Sequence, residues 1–206
     1  MRAVLLERIV LASASPRRLE LLRSLGLEVE VRPSGYGEPD DPALTPRELA
    51  IRHARAKASD VLAALEAPAV VVSADTVVDL DGIALNKPRD AADAARMLTA
   101  LSGREHQVHT AFALSVPGRD LLEEAATTRV RFYPLDRAEI DDYVATGEPM
   151  DKAGAYGIQG RAASLVETID GDFYTVMGFP LARFVRALRR LGFTLPTQKN
   201  DSNKAG

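Results

Sequence analysis

The apolar run Ile9-Val10-Leu11-Ala12 is followed within three residues by Ser15-Pro16, and this junction constrains the fold more than any other stretch of the chain. Ser at an N-cap and Pro at the first helical position mark a helix start, so the segment reads as a strand feeding a helix. Leu19, Leu22 and Leu25 form that helix's apolar stripe over residues 16–25, and Gly26 is placed to stop it. A strand leading directly into a helix belongs to an α/β fold. Arg17 and Arg18 fall in the first turn, beside exposed N–H groups and the positive end of the macrodipole, where a cation is disfavoured by about 0.3 kcal/mol or more. A bound anion resolves that conflict, held by free N–H groups, Ser hydroxyls such as that of Ser13, and a guanidinium fork. The alternative is two solvated arginines on a surface turn.

Apolar runs and helical patterns alternate along the rest of the chain. Strands are expected at about 8–12 and 28–32, followed by a Pro-, Gly- and Asp-rich loop at 33–44. Thr45-Pro46-Arg47-Glu48 has the form of a capping box and opens a helix to about residue 65. Residues 69–74, with Val70-Val71-Val72, predict a strand buried on both faces. Asp81-Gly82 predicts a hairpin turn between Val77-Val78 and Ile83-Ala84-Leu85. Asp90 caps a helix through Leu101 that stops near Gly103, and residues 106–116 and 121–133 form an antiparallel pair turning at Pro117-Gly118. Asp136 with Glu139 opens a further helix ending at Gly147. A glycine-rich loop at 149–160, a strand near 163–169 and a last helix at about 180–191 complete the pattern. The expectation is a single domain over residues 1–196, with the polar tail 197–206 disordered.

With 206 residues the chain is long enough for one good core. The net charge of −3 argues against a broad nucleic-acid surface but leaves room for a local pocket that takes a small anion. The chain has no cysteine, which excludes disulfide and thiolate chemistry. Glu7-Arg8 interrupts the first apolar run, so no signal-peptide core of about seven residues forms, and no segment approaches the roughly 18 apolar residues of a membrane span. The expected location is the cytoplasm, without membrane or nucleic-acid partners. The sequence leaves a homodimer open.

Several residues carry potential chemistry. Asp75 follows the buried run at what reads as the carboxyl end of a strand, where ligands gather in α/β sheets. A carboxylate there can hold a divalent metal or accept a proton, or simply cap a turn. Lys57 falls in the apolar stripe of the long helix with Ala50, Ala54, Val61 and Leu65, so it must snorkel or meet an anion. Lys87-Pro88 adds a cation on a stiffened loop, whereas Glu38 beside Asp40 and Asp41 reads as solvated surface. Three glycines in residues 151–160 let backbone approach a ligand closely, or serve a plain structural loop. Gln159 there offers an amide that can pair with the acceptor–donor–acceptor edge of uracil or thymine. His106 and His109 do not form a metal pair, because i and i+3 on a strand face opposite ways.

Taken together, Ser13-Ala14-Ser15-Pro16-Arg17-Arg18, Ala74-Asp75-Thr76-Val77-Val78, Lys87-Pro88, Leu101-Ser102-Gly103, residues 151–160 and Gly178-Phe179-Pro180 resemble the Maf family of nucleoside triphosphate pyrophosphatases, to about residue 190. The 151–160 block is similar to the branch acting on dTTP and UTP. The resemblance implies a Maf/ITPase-like α/β fold, with a mixed, twisted central sheet flanked by helices and a ligand cleft between two lobes. It implies Asp75 as proton acceptor and Arg17, Thr76 and Gln159 as positions of substrate choice. Ser13 and Arg18 join the substrate-binding set, and Lys57 and Lys87 join Asp75 as catalytic groups. Mg²⁺ or Mn²⁺ would be held by Glu38 and Asp75, with the nucleoside triphosphate as partner, and modified pyrimidine nucleotides stand beside dTTP and UTP as implied substrates. A relative preferring 7-methyl-GTP or modified purines, or a non-catalytic nucleotide-binding inhibitor of cell division, are the alternatives. Where the family often has Gly-Ser-Tyr and then Asn-Val, this chain has Gly171-Asp172-Phe173-Tyr174-Thr175-Val176, so the contact of that Asn is not implied here.

Overall fold

In the computed structural model, which describes residues 4–196, the elements run β1 (Val4–Leu5), β2 (Arg8–Leu11), α1 (Pro16–Arg23), β3 (Glu28–Val31), α2 (Pro46–Ala63), β4 (Val71–Leu80) and β5 (Ile83–Leu85). They continue α3 (Ala91–Leu101), β6 (Glu105–Ser115), β7 (Leu122–Phe132), α4 (Arg137–Ala145), β8 (Val166–Asp170), α5 (Phe173–Met177), α6 (Leu181–Arg190) and β9 (Phe193–Thr194). Short 3-10 turns at Glu148–Asp151, Ala153–Ala155 and Gly160–Leu165 lie between α4 and β8. The expected tail at 197–206 falls outside the described residues.

Seven strands form one mixed sheet in the order β3-β2-β4-β6-β7-β8, with β5 also paired to β4. The β3-β2-β4 pairs are parallel and the rest antiparallel. Alternation along β4 sends its side chains to two different layers. Val72, Ala74, Val78 and Leu80 join the large core with Leu22 of α1, Leu98 of α3, Ile140 of α4 and Phe184 of α6. Val77 faces α2 instead, where Leu49 and the small side chains of Ala50, Ala54 and Ala58 pack over Ala111 and Ala113 of β6. Helices therefore cover both faces, as the α/β expectation requires. No helix among the described residues is long and apolar enough to cross a membrane.

The capping signals form as expected. Thr45 with Glu48 and Asp136 with Glu139 both make reciprocal capping boxes, and Asp90 accepts from Asp93 N at the start of α3. Asp81 and Gly82 both take positive φ, the geometry of a two-residue hairpin turn, between paired Leu80 and Ile83.

Three expectations are corrected. Asp75 does not end its strand: β4 continues to Leu80, because pairing with β6 from Val71↔Ser115 to Asp79↔Gln107 supplies hydrogen bonds throughout. The strand expected near 163–169 begins only at Val166, after the Gly160–Leu165 turn. Helix α5 was not expected. Asp172 starts it, accepting from the N–H groups of Tyr174 and Thr175. The pair β1 and β9, two residues each, is too short to show any periodicity.

Candidate active site

A gap in the sheet creates the site. Strand β2 pairs with β4 only at Val71 and Val72, and β5 pairs with it only from Val78 to Leu80. Among the described residues, 73–77 of β4 thus have a partner strand on the β6 side alone. Side chains from both faces of β4 reach one cleft there, Asp75 from the α2 side and Thr76 from the other. The cleft has a volume of about 590 Å³, in the range of small-molecule sites. Asp75 is mid-strand in β4, yet it lies past the carboxyl end of its parallel neighbour β2, so the rule that ligands gather there still finds it.

All nine residues singled out from the sequence line this cleft. Ser13, Arg17 and Arg18 come from the β2–α1 junction, Glu38 from the following loop, and Lys57 from α2. Asp75 and Thr76 come from β4, Lys87 follows β5, and Gln159 precedes the Gly160–Leu165 turn.

Lys57 meets an anion rather than snorkelling. Its Nζ lies 2.7 Å from Asp75 Oδ1 and 2.5 Å from Glu38 Oε1. Burial raises the pKa of the Glu38 carboxyl, but the hydrogen bond and charge of Lys57, helped by Lys87 and His53, outweigh it and leave the group below its ordinary value. Glu38 also takes a left-handed backbone, φ +51, which is unfavourable for a residue with a side chain. Its loop is clamped to hold that shape. Asp60 accepts from Ser34 Oγ at 2.6 Å and Gly35 N at 2.8 Å, the Tyr36 hydroxyl meets His53 Nδ1 at 3.2 Å, and Arg52 donates to Pro39 O at 2.6 Å. Asp60, His53 and Arg52 all belong to α2. Read as solvated surface on local composition, Glu38 is drawn into the site by contacts that span many residues.

The two arginines divide their work. Arg18 Nε donates to Gly178 O at 2.8 Å, and its terminal nitrogens donate to Ser13 Oγ at 3.1 Å and Thr76 Oγ1 at 3.2 Å. Burial lowers its pKa, with Asp75 and Glu38 opposing; a guanidinium so placed keeps its charge. Arg18 is therefore mainly a bracket tying α1, β4 and the turn after α5. Thr110 Oγ1 donates to Thr175 O at 2.7 Å, so Thr76 Oγ1, 3.0 Å away, donates to Thr110 while accepting from Arg18. Among the described residues Arg17 has one distant ion pair, 3.8 Å to Asp151 Oδ2, and most of its donors are uncommitted. Ser15 stands at the N-cap of α1 but makes no side-chain cap, and its own N–H is taken by Ser13 Oγ at 3.2 Å. Where the family often has Asn, Thr175 is fully buried and its hydroxyl donates to Asp172 Oδ2 at 2.8 Å.

Opposite these groups lies the 151–160 loop. Among the described residues Gln159 makes no hydrogen bond and Lys87 makes neither hydrogen bond nor ion pair, and both face the cleft. Lys152 was not assigned a role from the sequence, although it stands in the motif. Its Nζ donates to Glu148 O and Asp151 Oδ1, both at 2.5 Å, and its chain lies against Gly157. Burial raises the Asp151 pKa, and Lys152 and Arg17 outweigh it to hold the carboxyl below its ordinary value. His106 and His109 face opposite ways as expected. His106 Nε2 meets the Tyr156 hydroxyl at 2.7 Å, while His109 sits between Asp79 Oδ2 at 3.1 Å and Thr127 Oγ1 at 2.8 Å.

No group of three or more His, Asp or Glu among the described residues is placed to hold a metal. Glu38 Oε2 and Asp75 Oδ2 are nevertheless uncommitted carboxylate oxygens in one cleft. That pair fits Mg²⁺, which typically takes one or two carboxylates together with substrate phosphates.

A family model for Maf-like proteins matches residues 8–191. The dTTP/UTP pyrophosphatase of Symbiobacterium thermophilum is 48% identical over 196 residues, covering 93% of this chain and 98% of that protein. The dTTP/UTP pyrophosphatase of Geobacter sulfurreducens is 52% identical over 186 residues, covering 90% and 97%. A solved HAM1 protein from Coxiella burnetii is 19% identical with a TM-score of 0.49, covering 90% of this chain and 100% of that one. With a family match that spans most of its length, and relatives aligned nearly end to end, the chain belongs to the Maf family.

Proposed function

We propose that this chain is a nucleoside triphosphate pyrophosphatase that hydrolyses dTTP and UTP to the monophosphate and pyrophosphate. The observation that carries the reading is the cleft itself. The buried Asp75 carboxylate is fixed by Lys57, the largely uncommitted Arg17 and the unpaired Lys87 line the same cleft, and a free amide at Gln159 shares it. The names of the relatives point to the same activity.

In this reading a water oxygen bonds to the α-phosphorus while the bridge to the β-phosphorus breaks and pyrophosphate leaves. Asp75 is the carboxylate that takes the water's proton, and its Oδ1 is engaged by Lys57. Arg17, Lys57 and Lys87 offset the phosphate charge, since phosphoryl transfer depends on positioning and neutralisation rather than covalent chemistry. Gln159 presents its amide to the base, where uracil and thymine offer acceptor–donor–acceptor and cytosine donor–acceptor–acceptor. Thr76, its hydroxyl fixed by Arg18 and Thr110, and Ser13 complete the substrate contacts. Glu38 and Asp75 would hold Mg²⁺ or Mn²⁺, which when bound neutralises phosphate charge and polarises the phosphorus.

The test is pyrophosphate release from dTTP, UTP, CTP, GTP and 7-methyl-GTP, with Mg²⁺, with Mn²⁺ and with chelator. We expect dTTP and UTP to be turned over fastest and chelation to abolish release. Fastest turnover of a purine nucleotide would overturn the specificity. Binding without release under any metal would overturn the enzyme.

A further inference from the structure

Ala155 holds a left-handed backbone, φ +61, one residue before Tyr156 and four before Gln159. Strain of this kind persists only where the surroundings pin both sides. Upstream, Gly154 N donates to Asn86 O at 3.1 Å, and a Cβ at Gly154 would come within 2.9 Å of Val78. Downstream, the Tyr156 hydroxyl is 2.7 Å from His106 Nε2. The Tyr156 ring also packs edge-on against His106 and Phe132, with centroids 5.4 and 4.8 Å away. All three rings are buried. Among the described residues His106 Nδ1 has no partner, and the imidazole's one hydrogen bond goes to Tyr156. An apolar side chain would fill the same space without a buried unpaired nitrogen, so the histidine is retained at a cost.

We propose that His106 is a positioning residue for substrate choice, which holds the Tyr156 hydroxyl and thereby sets where Gln159 stands in the cleft. The inference rests on the reading of Gln159 as the group that recognises the base. His106 lies on β6 in the large core, whereas Tyr156 and Gln159 line the cleft, so the effect is transmitted through the loop.

The experiment compares Tyr156→Phe, His106→Leu and the double variant for kcat and KM with UTP and CTP. Each single variant is expected to lower the UTP-over-CTP preference about tenfold, the size of one buried hydrogen bond. The loss should lie in KM for UTP more than in kcat, and the double variant should be no worse than either single one. Relaxation of the Gln159 backbone amide in nucleotide-free protein gives a readout independent of turnover, ordered in the parent and mobile in Tyr156→Phe. Tyr156→Phe keeps the ring packing, so it answers the question even where His106→Leu fails to fold. Unchanged preference in Tyr156→Phe, or losses that multiply in the double variant, overturns the proposal. If the parent releases no pyrophosphate, the functional reading falls. The amide data then decide alone: a rigid Gln159 in Tyr156→Phe overturns the positioning, and a mobile one upholds it.

Discussion

Lys57 Nζ lies 2.7 Å from Asp75 Oδ1, and both side chains are less than a tenth exposed. The pair joins α2 to the unpaired edge of β4 at the centre of the cleft. A buried pair adds little net stability, because desolvation offsets the attraction, but removing one partner strands the other.

Lys57→Met therefore strands Asp75 in a buried site. Urea unfolding should show a loss of about 3 kcal/mol, and Lys57→Met with Asp75→Leu should recover much of it. A single variant as stable as the parent would show that the pair is not held as described.

Asp75→Asn keeps the shape and an oxygen for Lys57 but removes the proton acceptor. Pyrophosphate release should fall by about 10²-fold or more, with the circular dichroism spectrum of the parent retained. Near-parent turnover would remove Asp75 from the mechanism.

Burial pushes the His106 imidazole from 6.5 down to about 4. The unfolded chain takes up this proton at higher pH than the folded one. The stabilisation is therefore complete above about pH 6.5 and is lost as the pH falls toward 4, by up to about 3 kcal/mol. Glu38 acts in the same direction at lower pH. Burial opposes but Lys57 prevails, so its folded pKa is depressed, and its stabilisation, present above 4.5, is lost as the pH falls through the folded value. Urea midpoints at pH 7 and pH 4.5 should differ clearly in the parent and less in His106→Leu; equal differences would refute the assignment to His106.

Gly154→Ala faces two penalties, a φ of +67 and a contact of 2.9 Å with Val78. Thermal unfolding should register a loss of about 1–3 kcal/mol. Adding Val78→Ala removes the two methyls at 2.9 Å but leaves the Cβ at 3.0 Å and the backbone strain, so recovery should be partial. Full recovery would assign the whole cost to the clash.

The features that the sequence determined by itself are those whose partners lie within a few residues. The capping boxes of Thr45 with Glu48 and Asp136 with Glu139, the Asp81-Gly82 turn and the stripe that places Lys57 on the buried face of α2 all depend on contacts no more than a turn away. The nine cleft residues were legible through residue type and motif, but their division of labour was not. Arg17 and Arg18 look alike in sequence. Only the fold brings Gly178 O, 160 positions away, to Arg18 and leaves Arg17 largely uncommitted. Tyr156 finds His106 across 50 positions, and Glu38 becomes a site residue only because its loop is clamped to α2. The cleft exists because β2 stops pairing at Val72 and β5 starts at Val78. Strand pairing depends on which distant strands share a sheet, so tertiary structure alone could open the gap in which Asp75 and Thr76 face the same space.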